Sequence, residues 1–129
     1  RDNGKTAKEL LEEIKVDCEQ NQEMSEMIVL VSNTLDFILE NRDDPEMLSC
    51  ISFDYMMGFG YLVGGWLMYK GKVKAKLKLS EKSKKENFLK SKIISSEFYN
   101  FHMLPRVESH LKIVTKGASI VQSTNDSFI

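Results

Sequence analysis

The sequence predicts an all-α protein, an antiparallel up-down four-helix bundle with an irregular C-terminal tail. Apolar residues recur every three or four positions over most of the chain, which is the period of one helix face. Helix-start signals and polar runs divide this pattern into four segments. A length of 129 residues, with 42% hydrophobic and 29% charged residues, suits one soluble domain with a single core. We therefore expect residues 1–129 to form a single helical-bundle domain.

The first two helices are predicted over residues 6–22 and 24–41. Thr6 followed by Glu9 matches a capping box, which marks a helix start. The first helix then carries an apolar face of Leu10, Leu11, Ile14 and Cys18. The second helix carries a longer stripe of Met24, Met27, Ile28, Val31, Leu35, Ile38 and Leu39.

The third helix is predicted over residues 45–79. Asp44 is a suitable N-cap, and Pro45 suits the first helical position, where no backbone N–H is needed. The stripe that follows is Leu48, Ile51, Tyr55, Phe59, Leu62, Trp66, Tyr69, Val73 and Leu77. Each glycine inside a helix costs roughly 1 kcal/mol relative to alanine. We therefore expect neighbouring helices to approach closely at the glycines of this segment, which are Gly58, Gly60, Gly64, Gly65 and Gly71.

The fourth helix is predicted over residues 86–115, after a polar loop at residues 80–87. Its apolar surface comprises Phe88, Leu89, Ile93, Phe98, Phe101, Leu104, Val107, Leu111 and Val114. Pro105 lies inside this helix and is expected to kink or break it, because proline removes a backbone hydrogen bond. Gly117 is a suitable C-cap, so residues 116–129 are predicted to be an irregular tail.

The net charge of −1 conceals a division along the chain. Residues 1–54 carry fourteen acidic and five basic side chains, whereas residues 70–92 carry ten lysines and two glutamates. Acidic and basic faces of one bundle that attract each other, or that are simply solvated, account for this division. Nucleic-acid binding is the weaker interpretation of the lysines, since the whole chain is slightly acidic.

The ends and the cysteines of the chain predict its setting. Cys18 and Cys50 form neither a disulfide framework nor a CxxC pair, which indicates a reducing, cytoplasmic setting. The charged opening RDNGKTAKE is unlike a signal peptide. It also lacks an initial Met, so we expect a fragment or processed product of a longer chain.

The apolar segment at residues 55–69 resembles two kinds of functional motif, and neither fits. Gly58, Gly60 and Gly64 have the spacing GxGxxxG rather than GxGxxG, and no strand is predicted before them. The uncharged run is fifteen residues long, whereas a membrane span needs about 20 apolar residues. A buried core helix explains this segment better, so the sequence predicts no membrane span.

Candidate catalytic and metal-binding residues each have a simpler explanation. His102 and His110 are eight residues apart, which separates them by about 12 Å along a helix at ~1.5 Å per residue. No Cys/His cluster accompanies them. Asp54 is the most suggestive carboxylate because it borders an apolar run, but a structural role is the simpler interpretation. The sequence therefore predicts no catalytic, cofactor-binding or metal-binding residue in this chain.

Two segments of the chain resemble a known family. The segments YLVGGWLMYKGKVKA and KIISSEFYNFHMLPRVESHLKIVTKGA are similar to the extra C-terminal domain of the longer acyl-CoA dehydrogenases, the acetyl-CoA dehydrogenase-like C-terminal family. The residues at matching spacing are Lys92, Phe98, Tyr99, Leu104, Pro105, Gly117 and Ala118. Glu97 departs from the family pattern, which often has arginine there, and lysines replace many small residues after Lys70.

The resemblance implies a role in a larger protein. In this family the FAD, the acyl-thioester pocket and the catalytic base belong to upstream domains, so the chain itself is expected to bind no cofactor. Its partners would be those upstream domains, within a homo-oligomer of an oxidoreductase of fatty acid metabolism. Packing between domains or subunits, and covering of the substrate entrance, are the implied roles.

The residues suspected of packing or interface roles are Tyr55, Phe59, Gly60, Gly64, Trp66, Phe98 and Pro105. An exposed part of residues 55–69 is the predicted contact with the rest of the enzyme. The alternative is a free-standing helical adaptor that uses its lysine-rich helix to bind an acidic partner. The acyl-CoA substrate and the oligomeric state do not follow from the sequence.

Overall fold

The computed structural model describes the backbone of residues 4–81 and 85–128, and the side chains of these residues except 117–119 and 121–128. Over this part the chain forms five α-helices and no strand. They are α1 (Lys5–Asp17), α2 (Gln22–Glu40), α3 (Pro45–Ser80), α4 (Glu86–His102) and α5 (Pro105–Phe128). The prediction of an all-α protein is confirmed.

Helix α3 is the centre of the molecule, because each of the other four helices packs against it. It begins as predicted: Asp44 is the N-cap, its carboxylate accepts a hydrogen bond from the backbone N–H of Met47 at 3.1 Å, and Pro45 follows. It continues without interruption through all its glycines to Ser80. Because α3 is continuous, it is long enough to contact each of the other four helices.

The core lies between α3 and the other helices. Its buried apolar residues include part of each predicted stripe of the first two helices and of the first part of α3, whereas other members, such as Leu10 and Met27, are partly buried against it. These residues are Leu11, Ile14, Cys18, Met24, Ile28, Val31, Leu35, Met47, Ile51, Leu62, Leu104, Val107, Leu111 and Val114. Val73 and Leu77 were predicted to continue the core-facing side of the third helix, but both side chains are exposed. Helix α3 therefore extends beyond its own core near its C-terminal end.

The predicted fourth helix, 86–115, is in fact two helices. The chain breaks between His102 and Pro105, where the backbone N–H groups of Met103 and Leu104 both donate to the carbonyl of Tyr99, at 2.8 and 2.9 Å. Pro105 then occupies the first position of α5, where its missing N–H costs nothing. The break buries Leu104 in the core. Of the two predicted effects of Pro105, the structure shows the break.

Helix ends differ from the predictions at three other places. Helix α1 begins at Lys5 after Gly4, whose φ of 76° is left-handed, so Thr6 lies in the first turn rather than at the N-cap. Helix α1 also ends at Asp17 rather than near residue 22. Helix α5 continues through position 117 to Phe128, so the irregular tail predicted for 116–129 is wrong up to residue 128. Positions 82–84 of the predicted loop and residue 129 lie outside the described residues.

Helices α4 and α5 cover successive parts of α3. Near the start of α4, Phe88 borders Gly71, and near its end Tyr99 contacts Gly64. On α5, Leu111 in turn reaches Gly58. The contacted position on α3 thus falls as the residue number rises through both helices.

Candidate functional site

Tyr99 marks the closest approach between α3 and α4. Its hydroxyl donates a hydrogen bond to the backbone carbonyl of Tyr61 at 2.6 Å. A Cβ atom at Gly64 would meet this hydroxyl and would lie 2.9 Å from Cζ of the same ring. Burial, and then the neighbouring Tyr61, raise the pKa of Tyr99, so its hydroxyl remains protonated and able to donate. Only glycine at position 64 leaves room for this contact.

Trp66 joins α3 to the end of α1. Its indole Nε1 donates a hydrogen bond to Oδ2 of Asp17 at 2.9 Å. The ammonium of Lys70 lies 4.8 Å from the centre of the Trp66 ring and 4.0 Å from Oδ2 of Asp17. This is one place where the acidic N-terminal part of the chain meets the basic part of α3.

Tyr55 and Phe59 pack edge to face, with ring centres 5.9 Å apart and ring planes at 73°. The hydroxyl of Tyr55 is buried and has no hydrogen-bond partner among the described residues. Burial raises the pKa of Tyr55 to about 12. Both rings pack against the core. These two residues therefore stabilise the fold from within.

A polar cluster joins α3 to α5. Oδ1 of Asp54 lies 2.8 Å from Nδ1 of His110, and both side chains are largely buried. The ring of Tyr61 stacks on His110 with centres 5.8 Å apart, and its hydroxyl accepts a hydrogen bond from Arg106 at 3.3 Å. A carboxylate that orients an imidazole recurs in acid–base sites. Here it links two helices, and Asp54 is part-buried with His110 as its partner.

Residues 10–124 match the model of a family described as acetyl-CoA dehydrogenase C-terminal like. The chain belongs to this family. Neither the curated proteins nor the solved structures include one that matches the chain. The resemblance found in the sequence is thus confirmed over nearly the whole chain. By its description, the matched family consists of C-terminal domains.

Four of the residues on which the resemblance rests, Phe98, Tyr99, Leu104 and Pro105, lie where α4 gives way to α5. Tyr99 makes the contact with Gly64, Leu104 is buried, and Pro105 starts α5. Glu97, where the sequence departs from the expected pattern, pairs with Lys72 at 3.5 Å. In this chain these residues therefore form the junction between two helices. Gly117 and Ala118 of the pattern lie in α5, where the structure describes only their backbone.

The suspected packing residues have different surroundings. Gly64 and Trp66 contact other helices, as described above. Gly60 is exposed, and a Cβ atom there would meet nothing within 4 Å, so the expected close approach at Gly60 is wrong within this chain. Phe98 is exposed and packs against His102, with ring centres 4.2 Å apart and ring planes at 31°, and Pro105 is exposed at the start of α5. Their interface roles remain predictions.

Helix α4 carries an outward apolar face, although two of its residues, Phe98 and Phe101, were predicted to share one apolar surface with Leu89. Ile94, Phe98 and Phe101 are 65%, 58% and 77% exposed. Their spacing of four and three residues places them on one side of the helix, away from buried Leu89 and Ser96. Counting the apolar residues on each of the two faces of residues 86–102 separately could have revealed the outward face, because the helix is apolar on both faces.

Two further classes of site receive no support in the structure. No helix in the described ranges has the length and apolar content needed to cross a membrane. Among the same residues, no three His, Cys, Asp or Glu side chains are grouped so as to hold a metal ion. Cys18 and Cys50 are both free.

Proposed function

We propose that this chain is the non-catalytic C-terminal helical domain of an FAD-dependent acyl-CoA dehydrogenase. The observation that carries the proposal is the family match over residues 10–124. In this proposal the upstream domains bind the flavin and the acyl thioester, and the helical domain packs against them or between subunits. It covers the substrate entrance only if its docked position extends that far.

The proposed architecture is an up-down bundle in which α4 and α5 together take the fourth position. The order of contacts along α3 supports it, because both helices meet α3 in reverse sequence. The break at Leu104 then allows one return segment to follow a 36-residue α3. The arrangement leaves the outer side of α4 free for a neighbouring domain.

The proposed contact with the catalytic domains is the outer face of α4, formed by Ile94, Phe98 and Phe101. Three exposed large apolar side chains on one helix face are costly in water, at roughly 25 cal/mol per Å² of apolar surface. A helix that is apolar on two opposite faces is typically covered on both. Membership of a family of C-terminal domains supplies the covering partner, which is the upstream part of the same chain.

The test uses the full-length parent enzyme with Phe98→Ser and Phe101→Ser together. We expect faster proteolytic release of the helical domain and lower acyl-CoA-dependent dye reduction, with the flavin absorbance of the catalytic part unchanged. The control is Val29→Ser, which changes an apolar side chain that is 60% exposed on α2. Equal proteolysis and activity in both variants would exclude this face as the contact.

A second measurement tests the non-catalytic assignment. The purified 129-residue chain is expected to be colourless after mixing with FAD and removal of the unbound flavin, because the flavin contacts belong to other domains. A yellow protein with bound flavin would contradict the proposal. A reading frame that begins immediately before Arg1 would favour the free-standing adaptor instead.

A further inference from the structure

Helix α3 has an outward apolar stripe that α4 borders at Gly64 and Gly71 but leaves largely exposed. It consists of Phe53, Met56, Gly60, Leu67 and Gly71, and we call it the α3 stripe. Phe53, Met56 and Leu67 are 67%, 71% and 58% exposed. The steps of three, four, seven and four residues keep all five positions on one side of the helix. The stripe lies opposite the side of α3 that faces the core.

Gly60 and Gly71 make two open notches in this stripe. A Cβ atom at either position would meet nothing within 4 Å. Glycine inside a helix costs about 1 kcal/mol relative to alanine, and packing within the chain gives no return for it here. A missing Cβ does allow the close approach of a second backbone or of a large side chain. The notches are therefore suited to a partner molecule that places a backbone or a large side chain against them.

The notch at Gly71 continues into a groove between α3 and α4 with a volume of about 260 Å³. Leu67 and the ring of Phe88 line it, and the ammonium of Lys92 lies 5.4 Å from the centre of that ring. Phe88 is itself 58% exposed. The groove is thus an apolar site of a size that admits one aromatic side chain.

The two ends of the α3 stripe carry opposite charges. Asp43, Asp44 and Glu46 lie at the N-terminal end, whereas Lys74 and Lys78 lie beyond Gly71 on the same side of the helix. Between them, residues 55–69 contain no charged side chain. An acidic end, an apolar middle and a basic end are complementary to the same pattern in the reverse direction.

The positions along α3 also match those of a second α3 that runs in the opposite direction. Phe53 and Gly71 are equally far from position 62, and so are Glu46 and Lys78. If a second α3 lies antiparallel with position 62 at the centre, Phe53 of each copy faces the notch at Gly71 of the other. Glu46 of each copy then faces Lys78 of the other. One surface that contacts itself in this way is what a two-fold dimer requires.

We propose that two copies of this chain associate through the α3 stripe, with their α3 helices antiparallel. The two-fold axis crosses the stripe at the level of position 62 along the helix. Phe53 of each copy enters the groove at Gly71 of the other, where Leu67 and Phe88 surround it. The charged ends set the direction and register of the pairing, because a parallel pairing would place acidic against acidic and basic against basic. This interface is separate from the outer face of α4.

The first test measures the association of the 129-residue chain by sedimentation over a range of concentrations. The chain is expected to form a dimer, and Phe53→Glu is expected to raise its dissociation constant by about tenfold or more. The control is Val29→Glu on α2, which changes an equally exposed apolar residue outside the stripe and should leave the dimer intact. Circular dichroism checks that both variants remain helical.

The second test fixes the orientation. In a Cys50→Ser background, the combination of Glu46→Cys with Lys78→Cys is expected to give a covalent dimer on mild oxidation, whereas each single replacement is not. The two positions are about 48 Å apart on one helix at ~1.5 Å per residue, so this disulfide can only join two copies. Buried Cys18 is left unchanged.

The outcomes separate this proposal from its rivals. A chain that stays monomeric at every concentration, or a Phe53→Glu variant that dimerises normally, would overturn it. Covalent dimers from either single cysteine replacement would indicate parallel pairing and would also overturn it. Phe98→Ser with Phe101→Ser should leave the dimer unchanged, so a failure of the proposed domain contact is distinguishable from a failure of the dimer.

Discussion

The residue with the tightest constraint is Gly64. Leucine at this position must displace the Tyr99 ring, whose hydroxyl is hydrogen-bonded to Tyr61. We expect Gly64→Leu to lower the free energy of unfolding by roughly 1 to 3 kcal/mol, because overpacking forces neighbouring groups apart. Urea denaturation measures the change.

Gly60 provides the matched control on the same helix. It faces open space, so Gly60→Ala should raise the free energy of unfolding by about 0.4–1 kcal/mol through a less flexible unfolded chain. Measurement at a low protein concentration keeps any self-association out of the comparison. An unchanged midpoint for Gly64→Leu would show that Tyr99 moves aside at little cost.

Tyr55 predicts how stability changes at alkaline pH. Its folded pKa of about 12 lies above the ordinary value of 10.0, because burial disfavours the phenolate. Tyr55 therefore contributes stability that is complete below pH 10 and is lost as the pH rises toward 12. We expect the Tyr55→Phe variant to lose less stability than the wild type between these two values.

The same variant has a consequence at neutral pH. The Tyr55 hydroxyl is buried without a partner among the described residues, and such a group costs roughly 1–3 kcal/mol. Tyr55→Phe should therefore match or exceed the wild-type stability at pH 7. Urea midpoints of both proteins at pH 7 and pH 11 measure the two effects. A parallel decline of the two proteins above pH 10 would argue against this assignment.

At the scale of elements, the break between α4 and α5 depends on Leu104 as well as Pro105. Leu104 is fully buried and contacts the position of Gly65, whereas Pro105 is exposed. We expect Leu104→Ala to cost about 2–5 kcal/mol and Pro105→Ala less than about 1.5 kcal/mol. Chemical denaturation followed by circular dichroism compares them. A larger loss for Pro105→Ala would show that the proline itself holds the break.

Helix α3 illustrates how packing overrides local preference. The turns that contain its five glycines would be weak in isolation, yet it continues for 36 residues from Pro45 to its end at Ser80. Contacts with all four neighbouring helices supply what the local sequence lacks. Beyond the core, at Val73 and Leu77, the helix carries exposed apolar side chains between lysines.

At the scale of the whole molecule, Trp66 adds a hydrogen bond between α3 and the end of α1 to the core contacts of the N-terminal helices. This tryptophan is the only one in the sequence, and it bonds Asp17 at the end of α1. If residues 1–129 form a single domain, Trp66 fluorescence and helical circular dichroism should give the same unfolding midpoint. A fluorescence change that precedes the loss of helix would show that α1 and α2 separate first.

Much of the fold was predictable because helices follow from local rules. The 3.6-residue period identified the core residues of α1, α2 and the first part of α3, and the Asp44-Pro45 start follows from cap chemistry within a few residues. The family was recognisable for a related reason, since its motifs are packing motifs with fixed spacing. These features depend on neighbours in the sequence.

The remaining features required the tertiary structure. Which glycine faces a neighbour and which faces water depends on where α4 lies, so Gly64 and Gly60 look alike in the sequence and differ in the structure. The same holds for Phe98, which shares its helix with buried Leu89 but points outward. The sequence by itself determined the helices and the family, through periodicity and motif spacing. Only the packing of distant segments decided which apolar faces were left uncovered.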